Sequence, residues 1–148
     1  MDRFYLGTFT YAIDVQRRLP LPKEWRVGEE APSFVLLPGR DRVVHAMPVE
    51  LFKSSLLEKA KQVSITDPVK SRALAQMGAI AHHTTLDPQG RIKLTPLLMN
   101  HAGLSGEVVL VGGMTTIQLM APETWQAASA DIDSVLDHIN QAEQLGQI

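Results

Sequence analysis

One stretch of the chain occurs twice, and any fold must give both copies equivalent surroundings. Residues 13–25 read I-D-V-Q-R-R-L-P-L-P-K-E-W, and residues 86–98 read L-D-P-Q-G-R-I-K-L-T-P-L-L. Each copy carries Asp, then Gln two residues on, then Arg two further on, then an aliphatic–x–Leu pair. The offset is 73 residues, and it holds without a gap beyond the motif. Val35 falls on Val108, Leu37 on Leu110, Gly39 on Gly112, Met47 on Met120 and Glu50 on Glu123, while Phe52 falls on Trp125. An ungapped register of this length is an internal duplication, and it sets the frame for all other fold reasoning.

Each copy reads locally as a hairpin. Ile13, Val15, Leu19 and Leu21 alternate with polar residues, the period of a strand that buries one face. Gln16-Arg17-Arg18 in one copy and Gln89-Gly90-Arg91 in the other supply a polar reversal, and Gly90 can take positive φ without steric cost. A duplicated chain therefore offers two matched polar tips.

The remaining punctuation repeats as well. Met1–Thr10 reads as a short first strand with Phe4, Leu6 and Phe9 inward. Pro22 opens a short helix with Trp25 inward and Gly28 as its stop; Thr95, Pro96 and Gly103 are N-cap, first residue and stop of its counterpart. Two hairpins follow, Ser33–Leu37 with Arg42–Met47 and Glu107–Val111 with Thr115–Met120, with Gly39 and Gly112 at the same turn position. Val49, Phe52, Leu56, Ala60 and Val63 lie at helical spacing, as do Trp125, Ala128, Ile132, Val135 and Ile139. Asp67-Pro68 starts a linking helix through about Ala81. The last helix is expected to run from Pro122 to about Leu145. Its near-heptad apolar positions leave two readings open, packing on its own domain or contact with another subunit.

The twice-repeated D-x-x-x-R with aliphatic–x–Leu resembles the MraZ family of bacterial transcription regulators, of the SpoVT–AbrB swapped-hairpin class, whose motif is close to D-x-K-G-R-[IL]-x-[IL]-P. Phe4–Gly7, Thr66-Asp67-Pro68, Arg72-Ala73-Leu74 and Gly103–Val111 extend the likeness to about Met1–Asp131. The chain departs from the pattern where Gln16 and Gln89 stand in the lysine position and Arg17 in the glycine position. The resemblance implies an α+β protein of two swapped-hairpin halves, 1–65 and 83–148, joined by a linking helix over 66–82. The halves would form one pseudo-symmetric β-barrel with a helix after each, assembled into a closed homo-oligomeric ring.

It also implies sequence-specific binding of double-stranded DNA at repeated promoter elements, usually to repress a cell-division and cell-wall gene cluster, in the cytoplasm at the nucleoid. The chemistry of the tips agrees. Arg18 and Arg91 can bond phosphate or the O6 and N7 acceptors of guanine, and Gln16 and Gln89 can pair with adenine. Asp14 and Asp87 are expected to orient the tips, and Arg17, Lys93, Arg40 and Arg42 to meet phosphates. The same departures also fit another reading, an oligomeric interaction protein that has lost DNA binding.

Composition narrows the alternatives. The net charge is −2, but all fourteen Lys and Arg lie at or before Lys93 against ten acidic residues there, so that part carries +4 and the rest is acidic. Such asymmetry can place a basic face on a near-neutral protein. With no cysteine there is neither a disulfide nor a thiolate metal site. His82 and His83 are adjacent on an expected strand and point to opposite faces, so no metal is expected. Enzymatic motifs are missing too, and neither a cofactor nor a small-molecule substrate is expected. No apolar run reaches the roughly 18 residues that a membrane span needs.

Overall fold

The computed structural model describes residues 3–26, 28 and 31–146. Within them lie eight strands: β1 (Thr8–Ala12), β2 (Arg18–Pro20), β3 (Ser33–Gly39), β4 (Val43–Pro48), β5 (His82–Thr85), β6 (Arg91–Lys93), β7 (Glu107–Gly112) and β8 (Ile117–Met120). Six of them form one sheet in the order β1-β7-β8-β4-β3-β5, and β2 pairs with β6 in a separate two-stranded ribbon. Every pairing is antiparallel.

The strand order reads the same from either end once the duplication is applied. Exchanging each strand of the first half for its counterpart reverses the order onto itself, with the β4–β8 pairing at the centre. The swap is visible at both edges: β1 pairs with β7 of the other half, and β5 with β3 of the first. The local hairpin expected at each copy of the motif is therefore not formed. β1 and β2 flank the first tip without sharing a ladder, because each is paired to the opposite half. The strand pairing among the described residues also makes an open sheet with a separate ribbon, where one closed barrel was expected.

Alternation along the strands divides the sheet into two faces. Phe34, Leu36, Val44, Ala46, Val108, Leu110, Ile117 and Leu119 face one core, and the ribbon closes it with Leu19 and Ile92. Those two residues are paired directly across the ribbon and both are fully buried. At roughly 1.5–3 kcal/mol per buried aliphatic side chain, this pair is a large fraction of what holds the ribbon in place. Tyr5, Phe9 and Trp25 close one end, with Trp25 edge-on to Tyr5 at 5.9 Å and to Phe9 at 5.1 Å. The Trp25 indole N–H donates to the Leu6 carbonyl at 3.1 Å.

The first strand differs from its expectation. Tyr5 points inward and pairs in an isolated bridge with Met114, whereas Phe4 and Leu6 are exposed. The alternation is shifted by one residue, so β1 begins only at Thr8; Met1 and Asp2 lie outside the described residues.

Five helices cover the rest. α1 is continuous over Val49–Phe52, Lys53–Leu57 and Glu58–Lys61, with its middle segment wound as a π turn. The hydroxyls of Ser54 and Ser55 both donate to the Leu51 carbonyl there, offering it partners other than the helical N–H. α2 (Pro68–Ile80) joins the halves, capped by the Asp67 carboxylate, which accepts from the Lys70 N–H at 3.1 Å. α3 (Pro96–Ala102) is capped by Thr95 and ends at Gly103 with φ 63°. Its counterpart is a single 3-10 turn, Lys23–Trp25, because Pro22 supplies no side-chain cap where Thr95 does.

The last helix is not continuous. α4 (Pro122–Ala128) stops at Ser129, and α5 (Ile132–Gln144) restarts from Asp131, whose carboxylate accepts the Ser134 N–H at 2.8 Å. An aspartate that caps a new helix outcompetes the continuous one the apolar spacing suggested.

Against the expectation from sequence, Gly39 and Gly112 do not supply the positive φ of their turns; Asp41, Arg42 and Met114 do. Gly112 instead lets another backbone approach, since a Cβ there would lie 2.5 Å from the Tyr5 carbonyl carbon and oxygen. Gly112→Ala is expected to destabilise the fold by about 1–3 kcal/mol. Gly78, inside α2 with nothing within 4 Å, is the converse, and Gly78→Ala should stabilise by roughly 0.5–1 kcal/mol. Denaturant melts of the two variants against the parent check both signs.

Candidate nucleic-acid interface

Both tips are built from one device. In the first, the Asp14 carboxylate accepts the Gln16 N–H at 2.9 Å and the Arg18 N–H at 2.9 Å through one oxygen, and the Arg18 Nε at 2.7 Å through the other. In the second, Asp87 accepts Gln89 N–H at 3.0 Å, Arg91 N–H at 2.9 Å and Arg91 Nε at 2.8 Å. Backbone bonds close each loop: Arg17 N–H to Asp14 carbonyl at 3.0 Å, and Gly90 N–H to Asp87 carbonyl at 2.9 Å. An aspartate side chain that captures the N–H two residues on is the mechanism of an Asx turn. Here it also fixes the arginine through Nε, leaving the terminal nitrogens of Arg18 without a bond to the described residues.

The residue after Gln takes the left-handed conformation in both loops, at φ 63° for Arg17 and 78° for Gly90. Glycine adopts this freely, whereas arginine pays strain of about 1 kcal/mol for it. Arg17 recovers part of that by donating Nε to the Leu94 carbonyl at 3.1 Å, which fastens the first tip to the end of β6 beside it.

The ribbon carries one tip at each of its ends, three residues apart. Its register sets Arg18 opposite Lys93 and Pro20 opposite Arg91. Because Leu19 and Ile92 point into the core, alternation turns Arg18, Arg91 and Lys93 to the other face. Arg91 Nη1 reaches the Asp14 carboxylate of the other tip at 3.8 Å. The side chains of Arg18 and Arg91 are 34% and 23% exposed, so each is held at its base and open at its end.

Asp14, Gln16, Arg17 and Arg18 thus lie together with Asp87, Gln89, Arg91 and Lys93. Arg40 and Arg42 do not join them. They sit in the β3–β4 turn, where they line a concavity of about 820 Å³ with His45, Met120 and Trp125.

Sequence reasoning missed two residues. The Arg26 guanidinium lies over Gly90, in the space where any side chain at that position would sit. Met99 stands at its equivalent in the second copy, so comparing the copies hides it. Thr84, a buried polar residue, accepts the Lys93 N–H at 3.1 Å and anchors β6.

The hydrogen bonds shift both carboxyls. For Asp14 the Arg18 backbone N–H is the largest influence; with the Arg18 guanidinium and Gln16 N–H it outweighs partial desolvation and lowers the pKa from 3.8. For Asp87 desolvation is the largest single influence and opposes the shift, but the Arg91 and Gln89 bonds together outweigh it and the pKa is again lowered. A carboxyl depressed on folding stabilises its loop above its ordinary pKa and loses that contribution as pH falls through the lowered value. Both carboxyls should therefore titrate below 3.8 in a carbon-detected NMR titration, with tip amides losing exchange protection in step. A midpoint at or above 3.8 for either would show that the loop does not hold its arginine this way.

No helix among the described residues is long and apolar enough to cross a membrane, and no group of three His, Asp or Glu is placed to hold a metal ion. Comparison with known proteins gives the relationship. A family model described as "MraZ protein, putative antitoxin-like" matches residues 77–146. A protein of Thermomicrobium roseum named transcriptional regulator MraZ is 38% identical over 129 residues, covering 86% of this chain and 88% of that protein. The protein of the same name from an Anaeromyxobacter species is 34% identical over 140 residues, covering 90% and 96%. That of Corynebacterium jeikeium is 32% identical over 127 residues, covering 86% and 87%. These relatives are named as regulators of transcription, which is not an enzymatic activity. With a duplicated motif in both halves and relatives matched over most of their length, the chain belongs to the MraZ family.

Proposed function

We propose that the chain is a transcription regulator that binds double-stranded DNA sequence-specifically through the paired loops at 14–18 and 87–91, as a homo-oligomer. The observation that carries this reading is the ribbon register, which stands Arg18 opposite Lys93 on one outward face. Like charges directly across a strand pair are unfavourable. Asp14 and Asp87 offset only part of the repulsion, since Arg17, Arg18, Arg26, Arg91 and Lys93 face two carboxylates. A polyanion relieves the remainder. A two-stranded β element also fits the major groove of B-DNA, roughly 12 Å wide.

Within this reading Arg18 and Arg91 read bases or clamp phosphates, Gln16 and Gln89 read adenine, and Arg17 and Lys93 add phosphate contacts. Asp14 and Asp87 position the arginines without touching DNA. The halves are 1–65 and 83–148 with 66–82 as the link, and the ribbon joins their sheet into a barrel-like unit. One pair of loops makes few contacts, so affinity comes from several copies in a ring engaging spaced repeats at high effective concentration. The targets are promoter repeats ahead of a cell-division and cell-wall gene cluster, which the protein represses at the nucleoid.

A gel shift against the region upstream of the protein's own gene tests the reading. Arg18→Ala/Arg91→Ala should weaken binding by roughly two orders of magnitude, from about 1–3 kcal/mol per arginine contact. Equal shifts by parent and variant, or no shift by the parent, would overturn DNA contact at the tips and leave an oligomeric interaction protein. A second measurement concerns Gln16 and Gln89. If they lie against phosphate, Gln16→Lys/Gln89→Lys should steepen the slope of log K against log salt by about 1.8, at 0.9 per neutralised phosphate. An unchanged slope would place both positions away from the backbone.

A further inference from the structure

The crown of each tip carries an apolar side chain that the fold does not use. The Asp14 N–H donates to the Arg18 carbonyl at 3.1 Å and the Asp87 N–H to the Arg91 carbonyl at 3.0 Å, so short loops, 15–17 and 88–90, form the two crowns. Val15 and Pro88 are the first residues of these loops and Gln16 and Gln89 the second, and all four are exposed. Val15 is 98% exposed, the highest value for any large hydrophobic side chain among the described residues.

Local conformation explains only one of these two apolar residues. The Arg17 N–H bond to the Asp14 carbonyl and the Gly90 N–H bond to the Asp87 carbonyl make Val15 and Pro88 the second residues of matching turns. Proline suits that position because its ring presets φ. Valine has no such advantage: it is β-branched, offers the loop no side-chain hydrogen bond and here buries almost nothing. A serine, asparagine or aspartate would serve an exposed turn better. What the two loops share at this position is an apolar surface held outward beside a glutamine.

That combination matches one feature of the major groove. An adenine edge offers the N7 acceptor and the N6 donor that a glutamine amide meets in a bidentate pair, and the thymine across from it offers O4 and a C5-methyl. The methyl is the one apolar group in this set, so an apolar side chain beside a base-reading glutamine has a single partner there. Neighbouring Cα atoms are about 3.8 Å apart, close to the rise of about 3.4 Å per base step, so one crown spans a single pair or two successive pairs. We propose that Val15 and Pro88 pack on the C5-methyl groups of thymines, so that each crown selects A·T pairs. The inference rests on the DNA contact proposed above and names the base that the crown reads.

Deoxyuridine pairs as thymidine does but lacks the methyl. The region upstream of the protein's own gene, amplified once with thymidine and once with deoxyuridine triphosphate, therefore isolates the contact in a gel shift. Burying one methyl is worth about fourfold in affinity, so with both crowns engaged the parent should bind the thymine duplex roughly tenfold or more tightly. Val15→Ser/Pro88→Ser, folded by circular dichroism, should bind the two duplexes alike. Any effect of uracil on duplex shape is common to both proteins, so the change in preference belongs to the side chains. Val15→Ser alone, at the more open position, should remove about half of the preference on a logarithmic scale, and Val15→Ile should keep it. Equal binding of both duplexes by the parent, or an undiminished preference in the serine variants, would overturn the inference and leave DNA contact standing. A parent that binds neither duplex overturns DNA contact at the tips, and the reading of thymine with it.

Discussion

The pairing of Leu19 with Ile92 across a three-residue ribbon is the contact on which the other features depend. Each residue comes from a different half, and each is fully buried. If either were polar, the ribbon would have no reason to lie on the core, and the loops at its two ends would separate. The face opposite that pair is then determined by alternation alone. A strand that buries its middle residue must present its outer ones, and here those are Arg18, Arg91 and Lys93. The basic face is thus a consequence of the apolar one.

The aspartates act at a finer scale. Each spends its two oxygens on three N–H donors of its own loop, and the loops agree to within 0.1 Å bond by bond. That agreement survives Arg17 in the place of Gly90, since Arg17 accepts the left-handed backbone and gains the Leu94 carbonyl. The arginines are consequently held before any partner arrives, and less side-chain freedom is lost on binding.

The duplication was legible in the sequence, and with it the two longer hairpins and the equivalence of the tips. What was not legible follows from interactions that no local pattern records. Whether Ile13–Leu21 pairs with itself or with the other half depends on long-range register, which looks identical at the level of alternation. The inward turn of Tyr5 depends on Met114, far along the chain. The break at Ser129 was suggested by Asp131, but an apolar spacing that ran straight through concealed it. Arg26 was hidden because the second copy has Met99 there. The charge halves were visible from composition, yet only the structure shows that α2 and α5 contain no fully buried residue.

Exchange of edge strands between the halves also constrains how this chain leaves the ribosome. β1 is made well before its ladder partner, which runs from Glu107 to Gly112. Until then β1 has a row of open hydrogen-bonding groups and no neighbour of its own half to cover them. The first half cannot complete its sheet alone: β3 can pair with β4 and β5 as they are made, but β1 must wait for β7.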